Sequence, residues 1–413
     1  MDSDIDNIFT KAASGRSLVK NRQTLTIDYV PENLPFRDEE SRTLAQVLSS
    51  LFKGARPSNL LLFGKPGTGK TAVVKNVIDR LQKKARELGV HVTVAVVNAK
   101  LANSAYKVLF EIAEEIGINS EASRDKKIVH FTGLSMGEAT DRILQFIQKK
   151  KLHLILVIDE IDSLVDKNGD DILYSLTRAN QQMMSSGGAF VTLVGISNSL
   201  DFKDKLDPRV RSSLSEEETV FNPYTVQQLR EILHERAKLA FNEGGVSEGA
   251  INLCAAVAGR EHGDARKAID LLRVASELAE REGAGKVDEH HVRQAQEKIE
   301  KDTSYEILKN ATTHTKYVVV AITKSKNGNT GDVYEIYSSI CRQVEQEPLT
   351  QRRLTQIISE LDQLGLVATD IVSQGRYGRS QKIKVTIPLS TIREAIADDA
   401  ALLSILNSDS KNS

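Results

Sequence analysis

The stretch Leu60-Leu61-Leu62-Phe63-Gly64-Lys65-Pro66-Gly67-Thr68-Gly69-Lys70-Thr71 decides the fold. Its apolar run suits a buried strand and then breaks into a loop matching G-x-x-x-x-G-K-[ST] at Gly64, Gly69, Lys70 and Thr71. Ala72, Val73, Val77, Ile78 and Leu81 follow at helical spacing, so the context is strand, loop, helix. Glycines let backbone N–H groups turn inward around phosphate oxygens, and the new helix adds the positive end of its dipole. In that arrangement Gly64, Lys65, Pro66, Gly67, Thr68 and Gly69 cradle phosphates, Lys70 reaches the β- and γ-phosphates, and the Thr71 hydroxyl binds Mg²⁺. A chance glycine turn needs no such flanking strand and helix. The stretch reads as a nucleoside-triphosphate site, with ATP or ADP and Mg²⁺ as cofactors.

Downstream, Leu154-Ile155-Leu156-Val157-Ile158-Asp159-Glu160 is an apolar strand ending in adjacent carboxylates. One carboxylate holds the Mg²⁺ shell and the next orients an attacking water, which assigns Asp159 to the metal and Glu160 to the water. Acids that merely cap a following helix give the same pattern, but the upstream phosphate loop favours hydrolysis. A further strand, Val191–Ser197, ends in Asn198, whose amide suits a place between γ-phosphate and water. Leu206-Asp207-Pro208-Arg209-Val210-Arg211 sets two arginines just after a proline, and either suits an arginine finger for a neighbouring subunit. In Gly263-Asp264-Ala265-Arg266, Asp264 is a natural N-cap and Arg266 falls in the first turn. A cation is unfavourable at that end of a helix, so a bound anion gives it a reason to be there.

Around these motifs strands and helices alternate. Strands are expected at Leu60–Phe63, His91–Asn98, Leu152–Ile158 and Ala189–Ser197. Helices are expected from the P-loop to Leu88, over Ala105–Ile116, near Glu138–Gln148 and over Asp170–Met184. Such alternation implies a parallel sheet covered by helices on both faces. Residues 1–25 are polar and expected to pack poorly, and Asp28–Arg37 is a proline-punctuated lead-in to an amphipathic helix bearing Leu44, Val47, Leu48 and Leu51. After Asn222-Pro223-Tyr224 the strands stop, and Thr225–Phe241, Ser247–Ala258, Asp264–Arg281 and Asp288–Lys301 read as a small all-α domain. From Ser304 the character changes again. The valine content of Tyr317–Ile322 suggests a strand, followed by helices Thr330–Gln346 and Thr350–Leu364 and β-runs Val367–Ser373 and Gln381–Ile387. Beyond Ser390 one more helical run is expected before the chain frays.

Length and charge fit this division. The chain has 413 residues, too many for one ordinary domain, and its net charge of −1 gives no global case for nucleic-acid binding. Any basic surface must be local. Cys254 and Cys341 are too few for a disulfide framework, which fits a reducing interior. Met1–Asn7 lacks the layout of a signal peptide, and no apolar run approaches the about 20 residues that span a bilayer. The expected location is the cytoplasm, associated with the nucleoid, with no membrane partner.

The order P-loop, Asp-Glu strand, Asn strand, Pro-Arg and helical Gly-Asp-x-Arg resembles that of AAA+ ATPases. More narrowly, the chain resembles the archaeal replication initiators of the origin-recognition-complex and cell-division-control type. The matching segments are Tyr29-Val30-Pro31-Glu32-Asn33-Leu34-Pro35-Phe36-Arg37, Phe131-Thr132-Gly133-Leu134-Ser135, Asp207-Pro208-Arg209-Val210 and Gly375-Arg376-Tyr377-Gly378-Arg379. The resemblance covers about Asp28 to Ile387. It implies an N-terminal extension (1–27), an α/β P-loop AAA+ core (28–223), an all-α lid (224–303), a C-terminal winged helix (304–390) and a tail (391–413). It implies origin binding, help in loading the replicative helicase, and a paralogous initiator as a possible partner. By the same resemblance Asn198 is a first sensor, Arg266 a second sensor and Arg209 the finger, while Tyr224 and Arg236 border the nucleotide. Leu34–Arg37 would line the adenine, although Phe36 stands where many relatives carry histidine. The helix after Gly133-Leu134-Ser135 matches the insertion that marks initiator-type members.

The last domain has a DNA reading of its own. In Thr350–Leu364 the apolar stripe Leu354, Ile357, Ile358 and Leu361 leaves Arg352, Arg353 and Gln356 on the free face, a set suited to guanine and adenine edges in a major groove. Residues 371–384 hold Arg376, Arg379, Lys382 and Lys384 and no acid, with Gly375 and Gly378 flanking Arg376-Tyr377. Arg376, Tyr377, Gly378 and Arg379 therefore suit a wing entering a narrow minor groove. The leading reading is an ATP-regulated origin-binding initiator that hydrolyses slowly. Its rivals are an AAA+ motor or loader subunit and a nucleotide-switched transcription regulator. A motor has little use for a sequence-reading wing, and a simple switch has none for the inserted helix.

Overall fold

The computed structural model describes residues 17–102, 104–119, 133–183, 189–373 and 379–408. The chain divides into two compact units, Met1–Val292 and Arg293–Ser413.

In the first unit, helix α1 (Asp38–Leu48) precedes β1 (Leu60–Gly64), α2 (Lys70–Glu87), β2 (Val92–Asn98), α3 (Ala105–Glu115) and α4 (Met136–Lys150). Then come β3 (His153–Asp159), α5 (Ile161–Asn168), α6 (Asp171–Met183), β4 (Phe190–Ser197), α7 (Pro208–Leu214) and β5 (Glu217–Phe221). The strands form one sheet in the order β2-β3-β4-β1-β5, and every pairing is parallel. One face buries Leu61, Phe63, Leu154 and Leu156 against α3–α7, and the other buries Leu60, Leu62, Ile155 and Val157 against α1 and α2. The expected α/β core with helices on both faces is present.

Three elements were not legible in the sequence. Strand β5 is a sheet edge whose acids face solvent, so it lacks an apolar run. Helix α5 is short, and α7 starts at Pro208 under an Asp207 cap, so both look like loop from composition. Residues 17–25 also depart from expectation. Leu18, Val19 and Leu25 are buried, and Lys20 N and Asn21 N both donate to Ala240 O at 2.8 and 3.1 Å.

The lid comprises α8 (Val226–Ala240), α9 (Glu248–Arg260), α10 (Ala265–Glu282) and α11 (Glu289–Lys309), all helical as expected, with the boundary between units falling inside α11. Each of α8, α9 and α10 opens on a side-chain cap, Thr225, Ser247 and Asp264.

In the second unit, α12 (Thr313–Lys324), α13 (Thr330–Gln343) and α14 (Gln351–Gln363) are followed by an antiparallel hairpin of β6 (Val367–Ser373) and β7 (Arg379–Val385). This is a winged helix. The strand expected over Tyr317–Ile322 is instead the body of α12. Tyr317, Val318, Val319, Val320, Ala321 and Ile322 are all buried, so packing overrides β-propensity, and the Thr312 cap was the available helix signal. The single run expected past Ser390 is two helices, α15 (Leu389–Ala395) and α16 (Ala400–Asn407), whose Ile392, Ala395, Leu402 and Leu406 join the same core.

That core holds a buried polar knot just ahead of α14. The Tyr337 hydroxyl pairs with His314 Nδ1 at 2.8 Å and accepts from Leu349 N at 3.0 Å, and burial pushes its pKa up to about 12. Tyr337→Phe strands the Leu349 N–H, and is expected to cost about 1–3 kcal/mol in chemical or thermal unfolding of the second unit.

Candidate functional site

Strand β1 is buried along its whole length and delivers the glycine loop to the carboxyl end of the sheet. Gly67 and Gly69 take φ of +74° and +92°, a region unfavourable to side chains. A Cβ on Gly67 would collide with the Asp264 carboxylate, and one on Gly69 would lie 2.7 Å from the Tyr224 hydroxyl. The loop is therefore built from bare backbone.

Lys70 opens α2 and turns back into the loop. Its Nζ donates to Gly64 O at 2.6 Å, Lys65 O at 2.9 Å and Asn198 Oδ1 at 3.0 Å. Burial pushes its pKa down to about 8, and the nearby Arg266 charge adds to the effect. The Thr71 hydroxyl donates to Asp159 Oδ2 at 2.9 Å, and Glu160 N donates to Asp159 Oδ1 at 2.9 Å. Glu160 adopts φ +53° and lies 3.8 Å from Lys100 Nζ. Lys70–Asn198 and Thr71–Asp159 are thus two hydrogen-bonded pairs, set side by side because Lys70 and Thr71 are adjacent at the start of α2.

A small polar cavity of 90 Å³ is lined by residues 66–71 with Asp159, Glu160, Asn198 and Arg266. Beside it lies a cavity of 490 Å³ whose walls include Tyr29, Val30, Tyr224, Arg236, Arg266 and Ile269. Asp264 caps α10 by accepting from Arg266 N and Lys267 N, and Ala265 N donates to Gly67 O at 3.2 Å. This contact seats the lid helix on the loop.

Arg236 lines the larger cavity, but its guanidinium is committed to the lead-in. It donates to Thr24 O and Tyr29 O, both at 2.9 Å, and lies 4.7 Å from the Tyr29 ring centroid. Phe36 is 40% exposed, and Leu34 and Pro35 supply the cavity wall from this part of the lead-in. Sequence reasoning missed the individual importance of Arg37, which is 5% exposed and bonds the P-loop at Thr68 O. One signal was available, because a cation immediately before Asp38-Glu39-Glu40 is poorly placed at a helix start unless its head goes elsewhere.

Neither candidate finger is among the residues lining these cavities. Arg209 forks onto Asp207 at 3.0 and 3.2 Å and lies 5.2 Å from the Tyr174 ring centroid, while Arg211 pairs with Asp204 at 3.3 Å.

In the second unit α14 buries Leu354, Ile357, Ile358 and Leu361 and exposes Arg352, Arg353 and Gln356. Arg353 also reaches Glu360 at 3.5 Å. The β6–β7 register runs from Val367↔Val385 to Ser373↔Arg379. Arg376, Tyr377 and Gly378 lie outside the described residues, as do Phe131 and Thr132, and Arg379 is described by backbone alone. Lys382 and Lys384 are exposed on β7.

Residues 55–202 match the AAA domain family, 230–297 the Cdc6 AAA+ ATPase-type lid domain and 306–395 the CDC6 C-terminal winged helix domain. An ORC1-type DNA replication protein of Thermococcus onnurineus is 45% identical over 414 residues, spanning 98% of this chain and 97% of the relative. The chain belongs to the ORC1-type DNA replication protein family. A second member, from Cenarchaeum symbiosum, is 44% identical over 405 residues, 97% of each chain. The structure of the Aeropyrum pernix ORC1 protein in complex with DNA is similar at TM-score 0.79 and 43% identity, covering 93% of this chain and 98% of that one. This family member is a nucleotide-binding AAA+ ATPase with a winged-helix domain.

The lowered pKa of Lys70 has a consequence for nucleotide binding. Below pH 8 its ammonium is in place for a phosphate, and above pH 8 the free protein must first take up a proton. ADP affinity is therefore expected to fall as pH rises through 8, by up to about tenfold per unit, with proton uptake on binding. Calorimetry at pH 7, 8 and 9 in buffers of different ionisation enthalpy checks this, and Lys70→Met should abolish both the affinity and its pH dependence.

Proposed function

We propose that this chain is an ATP-regulated DNA replication initiator that binds origin DNA and helps recruit or load the replicative helicase. The observation that carries the nucleotide half is the two hydrogen-bonded pairs Lys70–Asn198 and Thr71–Asp159, gathered at the carboxyl ends of three strands. Bare backbone at Gly67 and Gly69 fits phosphate oxygens, and the hard oxygen donors of Thr71 and Asp159 fit Mg²⁺. When bound there, the ion neutralises phosphate charge. Lys70 holds the β- and γ-phosphates, Glu160 orients and deprotonates the attacking water, and Asn198 and Arg266 read the γ-phosphate. The cavity beside Tyr29, Tyr224 and Arg236 takes the nucleoside. Turnover is slow because the finger, Arg209 or failing that Arg211, acts on a neighbouring subunit's nucleotide.

DNA is gripped by the winged helix, with Arg352, Arg353 and Gln356 of α14 in the major groove and the Arg376–Arg379 wing in the minor groove. The N-terminal end of α4, capped by Ser135, orients or bends the duplex, since the apolar face of that helix is spent on the core. Functional boundaries follow as 28–223 for the ATPase, 224–303 for the lid and 304–390 for the winged helix. The protein works in the cytoplasm on the nucleoid, alone or with a paralogous initiator. No helix among the described residues is long and apolar enough to cross a membrane.

For the ATPase, Glu160→Gln is expected to bind ATP without cleaving it, and Arg209→Ala to bind but turn over slowly. Mixing the two should partly restore activity, since each supplies what the other lacks. Normal turnover by Arg209→Ala at every protein concentration moves the finger to Arg211.

For DNA, fragments recovered from sheared source genome should concentrate at one or a few intergenic loci, with occupancy differing between ATP and ADP. Scattered promoter sites would instead favour a transcription regulator. Arg376→Ala with Arg379→Ala should weaken binding by about 1–3 kcal/mol and flatten its salt dependence, as measured by titration over a salt series.

A further inference from the structure

We infer that Arg37 is a positioning residue that locks the P-loop to the junction between core and lid and strengthens a phosphate-facing amide. The inference rests on the nucleotide reading of the cavity. It starts from a strained turn. Phe36 adopts φ +63°, a region unfavourable to a residue with a side chain, and Arg37 N donates back to Leu34 O at 3.2 Å. The turn sends the arginine inward, where it is 5% exposed.

Inside, each part of the guanidinium has its own partner. Nε donates to Thr68 O at 2.9 Å, Nη2 to Asn222 O at 2.5 Å and Nη1 to Glu40 Oε1 at 2.9 Å. The group also lies 4.0 Å from the Tyr224 ring centroid and 5.5 Å from that of Phe221. A planar fork spans these acceptors and stacks on a ring, which a lysine's point charge does not do.

The carbonyl of Thr68 shares its peptide group with the Gly69 N–H. A cation bonded to that oxygen polarises the peptide and makes the N–H a stronger donor to phosphate. Tyr224 lies on the other side, its hydroxyl 2.7 Å from where a Gly69 Cβ would stand. Arg37 therefore fixes Gly69 twice, through the carbonyl behind it and through the stacked tyrosine beside it. Asn222 and Tyr224 belong to the segment that leaves β5 and enters α8. While the fork is in place, the phosphate loop and that junction move together.

The test uses the full chain, with ADP release followed by fluorescence and amide exchange followed by mass spectrometry. In the unsubstituted protein ADP should slow exchange in both 64–71 and 221–226. Arg37→Gln should raise the ADP Kd at least tenfold, speed release, and confine the remaining protection to 64–71. Arg37→Lys keeps the buried charge and should fall between, with protection of 221–226 still lost. If Arg37→Gln fails to fold, Arg37→Lys decides alone. Glu40→Gln removes only the carboxylate charge facing Nη1, which also donates to Phe36 O at 3.3 Å, and should bind ADP within threefold of the unsubstituted chain. Undiminished protection of 221–226 in the folded Arg37 variants would overturn the inference, as would an Arg37→Lys protein indistinguishable from the unsubstituted chain. Absence of ADP protection at 64–71 in the unsubstituted chain would instead overturn the nucleotide reading beneath it.

Discussion

A buried ammonium ion sets the terms for the ATPase half of this molecule. Burying a charge without partners is costly. Lys70 is compensated by Gly64 O, Lys65 O and Asn198 Oδ1 and by the nearby carboxylates of Asp159, Asp162 and Asp264, though burial still lowers its pKa to about 8. Gly64 ends β1 and Lys65 begins the loop that follows it, but Asn198 comes from just beyond β4. It is within reach because β1 and β4 pair in a register that sets Phe63 beside Ser197. The same logic extends one strand further. The β3–β4 register sets Asp159 beside Ile196, which brings its carboxylate to Thr71 at the start of α2. A slip of one residue would turn each inward side chain to the other face and separate these groups. The apolar cores on the two faces of the sheet thereby hold the polar site in alignment.

Much of this was written into local sequence. The glycine loop, the Asp159-Glu160 strand end, Asn198, and the stripe Leu354, Ile357, Ile358 and Leu361 carry their meaning in spacing alone, because strand and helix periods decide which residues share a face. What escaped depends on partners far away in the chain. Strand β5 has exposed acids and is held by pairing with β1, which its composition does not reveal. The Tyr317–Ile322 run is ambiguous because a helix buried all round and a buried strand share one composition, and only packing separates them. The burial of Leu18, Val19 and Leu25 depends on lid helices more than 200 residues later, as the Asn242 N to Leu18 O bond illustrates. Arg37 needed knowledge of Thr68, Asn222 and Tyr224 together, and no window of sequence contains all three.

The two ends of the protein handle charge in different ways. Lys70 is buried beside the half-buried Asp159 and Glu160, where Coulomb interactions are stronger and salt screens them less than at an open surface. Arg352 and Arg353 on α14 and Lys382 and Lys384 on β7 are exposed, so any contact they make with a phosphate backbone is open to counterions and falls with ionic strength. Ionic strength therefore acts more strongly on charge at these exposed positions than on the buried Lys70.

The lid adds a coupling of its own. Helix α10 meets the P-loop through Ala265 N and Gly67 O, so its positive end converges with that of α2 on the same cavity. Arg266 rides in the first turn of α10, and its charge helps lower the pKa of Lys70. Lys70 and Arg266 repel each other across this cavity, while the carboxylates of Asp159, Glu160, Asp162 and Asp264 lie around them. A polyphosphate between them converts that repulsion into attraction. Arg266 reaches the cavity from α10, so an anion that meets both cations favours the seated lid. By linkage, whatever holds α10 on the loop also tightens the grip on nucleotide.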